Sequence, residues 1–253
     1  QAASPLLFPE TVFNAPASHL AAILGITGAS YTLVGDGAVG VLAIKMAEDL
    51  MQSPGLDRCL VVGAEEADWL LCDAYRRWRL LRGSPPAEPF QSPPRGMVLS
   101  EGAGAIVIDR TSTLRIDKVH PGRNFSRRQE AFRCVGETFD VLGASHTDVI
   151  IASANGTFVD GAERAAILSH CPSARVYSPK AALGESVGAA GLWQVIAAVQ
   201  AIKTGELPRS PNGAGHAEER LQAAAGERVH ARRAIVSACG MNQQVAGLSL
   251  VAE

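Results

Sequence analysis

The sequence has little of what marks a nucleic-acid-binding or membrane protein. Aromatic residues make up 5% of its 253 residues, and 23 basic and 25 acidic side chains give a formal net charge of −2. Nucleic acid and anionic membranes attract concentrated positive charge, so neither is expected as a partner. No uninterrupted apolar stretch is long enough to cross a bilayer. The opening segment QAASPLLFPETVF also lacks the basic and apolar regions of a secretory signal.

Patterns for disulfides, metals and nucleotides are missing as well. The five cysteines are odd in number, and no two lie at the CxxC spacing of a zinc or redox site. The six histidines do not recur at metal-ligand spacing. Glycines in GAVG and VGAAG do not form GxGxxG after a strand, and close helix packing explains them better. We therefore expect a reducing cytoplasmic location, no metal and no cofactor.

What the chain does contain is an alternation of helices and strands around two strongly apolar helices. With 47% hydrophobic and 19% charged residues, it can bury a substantial core. The predicted strands are 31–34, 59–63, 97–99, 105–109, 149–153, 175–178, 234–238 and 245–251, and the predicted helices are 38–51, 68–81, 161–168 and 186–203. The pairs 97–99 with 105–109 and 234–238 with 245–251 are predicted hairpins. The order buried helix, strand, hairpin occurs twice, which favours a mainly parallel, layered α/β fold with two similar halves.

Five segments, in chain order, match the motifs of one known family. The first, FPETVFNAPASHLAAILGITGASYTLVGDGAVGVLAIKMAEDL, resembles its interface helix, interface strand and nucleophile-bearing helix. PFQSPPRGMVLSEGAGAIVID is close to PFDxxRxGFVxGEGAGxxVL. The remaining three, ASANGTFVDGAERAAI, SPKAALGESVGAAG and SACGMNQQVAGLSLV, stand in place of EAHGTGTxxGDxxExxAI, xxKxxxGHxxxAAG and SFGFGGxNxxxxL. The chain therefore resembles the elongating β-ketoacyl synthases, which are condensing enzymes of the thiolase fold.

This resemblance implies a thiolase-like layered αβαβα fold made of two similar halves. Residues 1–110 would be the C-terminal part of the first half, which is expected to be truncated at its N-terminus. Residues 111–253 would be the second half. A truncated half leaves an unpaired sheet edge and an exposed apolar helix, so we expect extensive contact with another polypeptide.

The resemblance also implies that the family's catalytic residues are replaced. The nucleophilic cysteine at the start of the first buried helix is matched by Gly37, which has no side chain to accept an acyl group. The two histidines that hydrogen-bond the malonyl thioester carbonyl are matched by Asn155 and Glu185. An ionised glutamate repels a developing enolate, so the nucleophile and the decarboxylation site are both expected to be lost.

Other positions of these motifs are retained or have a structural interpretation. Lys180 matches the family's lysine and is expected to form an ion pair with Glu185 or another buried carboxylate. Asp36 is expected to cap the buried helix. Gly240 and Met241 match the loop that forms the oxyanion hole and holds an aromatic gate, and they are candidates for a vestigial substrate-binding loop. Cys239 is interpreted as a buried structural cysteine rather than a relocated nucleophile.

Three functions remain open from the sequence. The leading hypothesis is a non-catalytic subunit resembling the chain-length factors of type II polyketide and aryl-polyene systems, which pairs as a heterodimer with an active ketosynthase. The second is an acyltransferase or hydrolase of the same fold that uses Asp36, Glu185 or Cys239. The third is a stand-alone homodimeric module that binds acyl thioesters or acyl carrier protein. The arginines around Trp78 in DAYRRWRLLR are either a docking patch for that acidic carrier protein or a solvated helix face.

Overall fold

The computed structural model describes residues 12–209, 221–223, 226 and 228–253, and the chain divides into two units, residues 1–34 and 35–253. In the first unit, helix α1 (Ala15–Leu24) has a proline in its first turn and ends at Gly25, whose φ of 66° is left-handed. Residues 31–34 do not form the predicted strand. A β-type run needs a neighbouring strand to satisfy its backbone groups, and none of the described residues supplies one, so that prediction is wrong.

The second unit contains two β-sheets and most of the helices. Its elements are α2 (Val39–Leu50), β1 (Arg58–Glu65), α3 (Trp69–Arg77), β2 (Gly102–Asp109), β3 (Leu114–Asn124), α4 (Ala131–Leu142), β4 (Val149–Ile151), α5 (Phe158–His170), β5 (Arg175–Tyr177), α6 (Lys180–Leu183), α7 (Ala190–Thr204), β6 (Gln222–Ala223), β7 (Arg233–Cys239) and β8 (Gln244–Ala252). Strands β4, β5, β6 and β7 run parallel, while β8 pairs antiparallel with both β7 and β3. The six-stranded sheet has the order β3-β8-β7-β4-β5-β6.

The large sheet lies between two helix layers because its central strands are apolar on both faces. Successive strand residues point to opposite faces, and β4 shows the result: Ile150 packs in one apolar cluster, and Val149 and Ile151 pack in the other. The first cluster contains the buried sides of α4 and α5, and the second contains those of α2 and α7. Val61 of β1 also belongs to the second cluster, so β1 and β2 cover the far side of α2 and α7. The chain thus has the predicted layered α/β fold.

The predicted hairpin of residues 97–99 with 105–109 is wrong. Strand β2 pairs instead with β1 in an antiparallel ladder that runs from Arg58 opposite Asp109 to Glu65 opposite Gly102. Met97 forms only an isolated bridge, with Leu81. The glycines of SEGAG do not form a turn. They lie in strand β2 and allow it to approach helix α7 closely, since a Cβ on Gly102 would be 2.6 Å from the Trp193 ring.

The other predicted elements are present with shifted ends. The helix predicted over 68–81 ends at Arg77, and the Asp68 side chain caps its start by accepting from Leu71 N at 2.7 Å. The predicted hairpin of 234–238 with 245–251 is confirmed as β7 and β8. Among the described residues, no helix is both long enough and apolar enough to span a membrane.

The contact of β1 with the start of α7 depends on two glycines, and Gly63→Ala tests it. A Cβ on Gly63 would lie 2.5 Å from the carbonyl oxygen of Gly188, which is backbone and cannot turn away. We expect Gly63→Ala to lower the free energy of unfolding by about 1–3 kcal/mol, measured by urea denaturation. The control is Gly83→Ala, since nothing lies within 4 Å of a Cβ there. If the two variants unfolded at the same urea concentration, the backbone at Gly63 and Gly188 would be able to move apart without loss of stability.

Candidate functional site

The residues matched to the family's catalytic positions meet at one edge of the large sheet. Strands β4, β5 and β7 are parallel, so their carboxyl ends share this edge. Asn155 follows β4, Lys180 follows β5 and begins α6, and Gly240 follows β7. Gly37 reaches the same place from the start of α2: a Cβ on it would be 3.5 Å from the Cα of Gly240 and 3.8 Å from Oε1 of Glu185.

Glu185 is at the centre of a buried hydrogen-bonded network. Its Oε2 accepts from Lys180 Nζ at 2.7 Å and from Asn155 Nδ2 at 2.6 Å. The side chains of Lys180 and Glu185 are 1% and 0% exposed, so this is the ion pair expected from the sequence. Lys180 Nζ also donates to Ser153 Oγ at 3.0 Å. With so little solvent to screen it, the pair depends on each member having its partner.

The amide of Asn155 is fixed in one orientation by its neighbours. Its Oδ1 accepts from Thr157 Oγ1 at 2.7 Å and from Thr157 N at 3.2 Å, which leaves Nδ2 to donate to Glu185. The sulfur of Met241 also lies 3.5 Å from Nδ2. A group that polarises a thioester carbonyl must aim a donor at that carbonyl. The two N–H donors of the Asn155 amide instead have internal acceptors within reach, the Glu185 carboxylate and the sulfur of Met241.

The predicted cap by Asp36 is formed in part. Its Oδ1 accepts from the backbone N–H of Ala38, the N-cap residue of α2, at 3.4 Å. Its Oδ2 has a second role that was not predicted, since it accepts from Asn242 N at 2.6 Å. Burial raises the pKa of this carboxyl. Because a Cβ on Gly240 would overlap the Asp36 carboxylate, the two positions are mutually dependent.

The loop that follows β7 is part of the site, although its backbone is already engaged. Gly240 N donates to Gln244 O at 2.7 Å within the turn between β7 and β8. Met241 is buried, and its sulfur faces Asn155. The structure therefore brings Gly240 and Met241 to the site, and their role in binding substrate stays a prediction. A Cβ on Gly37 would also lie 3.9 Å from the carbonyl oxygen of Cys239.

Cys239 has the properties of a buried structural thiol. It is 1% exposed, and its Sγ lies 3.8 Å from Gly240 O in a weak hydrogen bond. Burial, together with the nearby charges of Glu163 and Asp36, holds the pKa of the thiol well above its ordinary value. A nucleophilic cysteine needs thiolate character, so these properties do not favour Cys239 as a relocated nucleophile.

Sequence reasoning missed two buried carboxylates on α5. Glu163 Oε1 accepts from Ser153 N at 2.9 Å and from Ser237 Oγ at 2.6 Å, which joins the ends of β4 and β7. Asp160 accepts from the backbone N–H groups of Asn155 at 2.8 Å and Phe90 at 2.5 Å. Burial raises the pKa of Asp160 to about 6 and that of Glu163 to about 7. Their i, i+3 spacing on the apolar side of a helix was the available signal.

No group of three or more His, Cys, Asp or Glu side chains within the described ranges is arranged to hold a metal ion. Two family matches cover most of the chain: residues 1–113 match the β-ketoacyl synthase N-terminal domain, and residues 107–214 match the β-ketoacyl synthase C-terminal domain. The chain belongs to the β-ketoacyl synthase family.

Two curated proteins are similar in sequence to this β-ketoacyl synthase family member. Nodulation protein E of Rhizobium leguminosarum bv. trifolii is 27% identical in an alignment 229 residues long, which covers 81% of this chain and 56% of the relative. The polyketide biosynthesis malonyl-ACP decarboxylase PksF of Bacillus subtilis (strain 168) is 27% identical in an alignment 217 residues long, which covers 74% of this chain and 52% of the relative. The chain thus spans about half the length of these relatives.

A solved structure establishes the fold of this β-ketoacyl synthase family member. The structure described as the ishigamide ketosynthase/chain length factor superposes with a TM-score of 0.84 and 20% identity, over 99% of this chain and 68% of that one. The thiolase-like ketosynthase fold implied by the sequence motifs is therefore confirmed.

The buried ion pair of Lys180 and Glu185 is tested by a double-mutant cycle. Lys180→Met leaves the carboxylate of Glu185 buried without a counter-charge, so we expect the free energy of unfolding to fall by about 3–5 kcal/mol. Adding Glu185→Gln removes that charge while keeping an acceptor for Asn155, and it should restore more than half of the loss.

The exposed pair Arg77–Asp73, 2.8 Å apart with side chains 77% and 36% exposed, is the control. Arg77→Met should change the free energy of unfolding by less than about 1 kcal/mol. Additive effects of the Lys180 and Glu185 substitutions in urea denaturation would show that the two charges are not coupled.

Glu163 should make the protein less stable as the pH rises. Its pKa is raised from 4.5 to about 7 in the folded state, so between these values the folded chain holds a proton that the unfolded chain has released. Stability is therefore lost as the pH rises through this window, by at most about 3 kcal/mol. Asp160 acts in the same direction up to about pH 6.

Glu163→Gln cannot titrate, and we expect it to flatten the dependence of the urea midpoint on pH, most clearly between about 6 and 7. The exposed Glu101→Gln is the control and should leave the slope unchanged. An unchanged slope in Glu163→Gln would mean that Glu163 is ionised throughout.

Proposed function

We propose that this chain is a ketosynthase-like subunit that does not condense acyl chains and that pairs with an active β-ketoacyl-ACP synthase. Its role would resemble that of a chain-length factor in polyketide, polyene or fatty-acid-type biosynthesis. The observation that carries the proposal is the carboxylate of Glu185, held between Lys180 and Asn155 at the position of a family histidine. At the position that the sequence motif matches to a catalytic donor, the chain would have a buried ion pair instead.

In this proposal, the chain lacks both the nucleophile and the free hydrogen-bond donors that condensation requires. Gly37 offers no nucleophile for the acyl chain. Asn155 Nδ2 is directed at Glu185 and at the sulfur of Met241, and a negative charge beside a developing enolate raises the barrier to decarboxylation. The relative named as a malonyl-ACP decarboxylase shows that the family includes activities other than condensation. In this chain, Glu185 argues against that reaction too.

Pairing with another chain is supported by the exposed apolar residues of the first unit. Phe13 and Ile23 are both 80% exposed. The other large apolar side chains exposed in residues 12–34 are Leu24, Ile26, Tyr31, Leu33 and Val34. Such a density is unusual for a surface in contact with water and is typical of a protein interface. The structural neighbour described as a ketosynthase/chain length factor supports a ketosynthase as the partner.

Further parts of this proposal concern organisation and partners. The boundary between the family's two halves would lie near residue 110, where β2 of the small sheet ends at Asp109 and β3 of the large sheet begins at Leu114. An acyl carrier protein would supply the growing chain, in the cytoplasm. A homodimer that binds acyl carrier protein without a ketosynthase is the competing assembly.

Co-expression with the ketosynthase of the native host tests the pairing. We expect the two chains to co-purify as a complex, and Ile23→Asp to reduce the recovered ketosynthase at least tenfold by placing a charge in the apolar interface. Val141→Asp is the matched control, since Val141 is 49% exposed on α4 in the other unit. A homodimer, or a monomer that ignores the ketosynthase, would contradict the proposal.

A further inference from the structure

Exposed basic and aromatic side chains are concentrated at the end of helix α3. Arg76 and Arg77 lie in its last turn. Trp78 and Arg79 follow directly, and all four residues are exposed, Trp78 by 49%. Tryptophan and arginine are among the residues that contribute most to binding energy at protein interfaces. The composition of this segment is therefore that of a contact surface.

A second segment brings a further arginine to the same surface. Met97 forms a parallel bridge with Leu81, and Met97 N donates to Leu80 O at 2.7 Å. Arg79 and Arg95 each precede their bridge residue by two positions, and both are exposed. The bridge therefore holds these two arginines on adjacent segments of the surface.

Most of this positive charge has no internal counter-charge. Arg77 pairs with Asp73 at 2.8 Å. In contrast, Arg76, Arg79 and Arg95 form no ion pair within the described part of the chain. The dipole of α3 favours basic residues in its last turn, but Arg95 is not part of that helix. Like charges held on adjacent segments repel each other, so the arrangement is complementary to a negatively charged partner.

The acidic residues of this region lie at the opposite end of α3. Asp68 caps the start of the helix, and Glu66 precedes it. A helix of nine residues is about 13 Å long, so at ordinary ionic strength these carboxylates are largely screened from the arginines. The exposed basic residues without an ion pair and the tryptophan among them are named the arginine patch: Arg76, Trp78, Arg79 and Arg95.

The arginine patch is close to the buried site. The Trp78 ring packs edge-on against Tyr75, with the ring centroids 5.7 Å apart. Tyr75 is 4% exposed, and burial, together with the nearby charges of Glu185 and Asp36, raises the pKa of its hydroxyl. A single buried tyrosine therefore connects the exposed tryptophan with the charged groups of the site.

We propose that the arginine patch is a docking surface for an acidic face of the acyl carrier protein. Its guanidinium groups bind carboxylates of the partner, and the Trp78 ring covers apolar atoms between them. Three unpaired arginines are too few for the rows of phosphates that nucleic acid presents. The identity of the partner rests on the proposed function, in which this carrier protein supplies the growing chain. The patch shares no residue with the apolar surface of residues 12–34.

Charge reversal tests the docking surface. The probe is the unacylated acyl carrier protein of the native host, labelled with a fluorophore and titrated with the purified chain and with its ketosynthase complex. We expect the double variant Arg76→Glu/Arg95→Glu to raise the dissociation constant at least tenfold in fluorescence anisotropy. Wild-type binding should also weaken as NaCl is raised from about 50 to about 300 mM. The milder Arg76→Gln/Arg95→Gln only removes the charges and should give a smaller loss in the same direction.

The matched control is Arg58→Glu/Arg232→Glu, which changes the net charge by the same amount. Both arginines are exposed, Arg58 at the far end of β1 and Arg232 before β7, at the edge of the large sheet opposite to the site. The control should keep the dissociation constant within about twofold of wild type, because distant exposed charges are screened.

An equal loss in the patch and control variants would overturn the docking surface, and so would unchanged affinity in the patch variants or no binding by the wild-type chain. Phosphatidylglycerol vesicles are titrated in parallel. If they bound through the patch and the carrier protein did not, the proposed partner would be wrong. Recovery of the ketosynthase is measured separately. A homodimer whose binding of the carrier protein depends on the patch would refute the pairing and support the docking surface.

Discussion

The 2.7 Å contact between Lys180 and Glu185 joins the segments that meet at the carboxyl edge of the large sheet. Lys180 comes after β5 and reaches Ser153 after β4, while Glu185 reaches Asn155 on the same connection. Without its partner, either charge would be buried in an environment that cannot solvate it. Through Ser153, which donates to the carbonyl oxygen of Cys239 at 3.1 Å, the pair is also linked to the end of β7.

The network also leaves the site with few free hydrogen-bond donors among the described residues. Catalytic donors are usually held ready for a substrate and are therefore incompletely satisfied in the free protein. Here the donor of Asn155 has found an internal acceptor, and the backbone N–H of Gly240 is engaged within its turn. Under the proposed function, a site stabilised in this way suits a subunit that holds a shape beside an active partner.

Much of the layered fold was predictable because its signals are local. The apolar helices α2 and α7, the paired strands β7 and β8 and the ion pair of Lys180 with Glu185 follow from periodicity or from motif positions. The predictions failed where the decisive contact is distant in sequence. Strand β2 pairs with β1 rather than with residues 97–99, since Trp193 of α7 requires glycines where a turn was expected. Asp36 accepts from Asn242, 206 positions later, and no local capping pattern reveals that bond.

Because the Asp36 carboxylate fills the space beside Gly240, substitutions at position 240 are restricted. Any side chain introduced at position 240 would overlap the Asp36 carboxylate, whereas removing that carboxylate first would leave Asn242 N without its acceptor. A bulky gate at position 240 therefore cannot be reached by one substitution without passing through a strained or unsatisfied protein. Positions 36 and 240 therefore constrain each other, and a change at either one calls for a compensating change at the other.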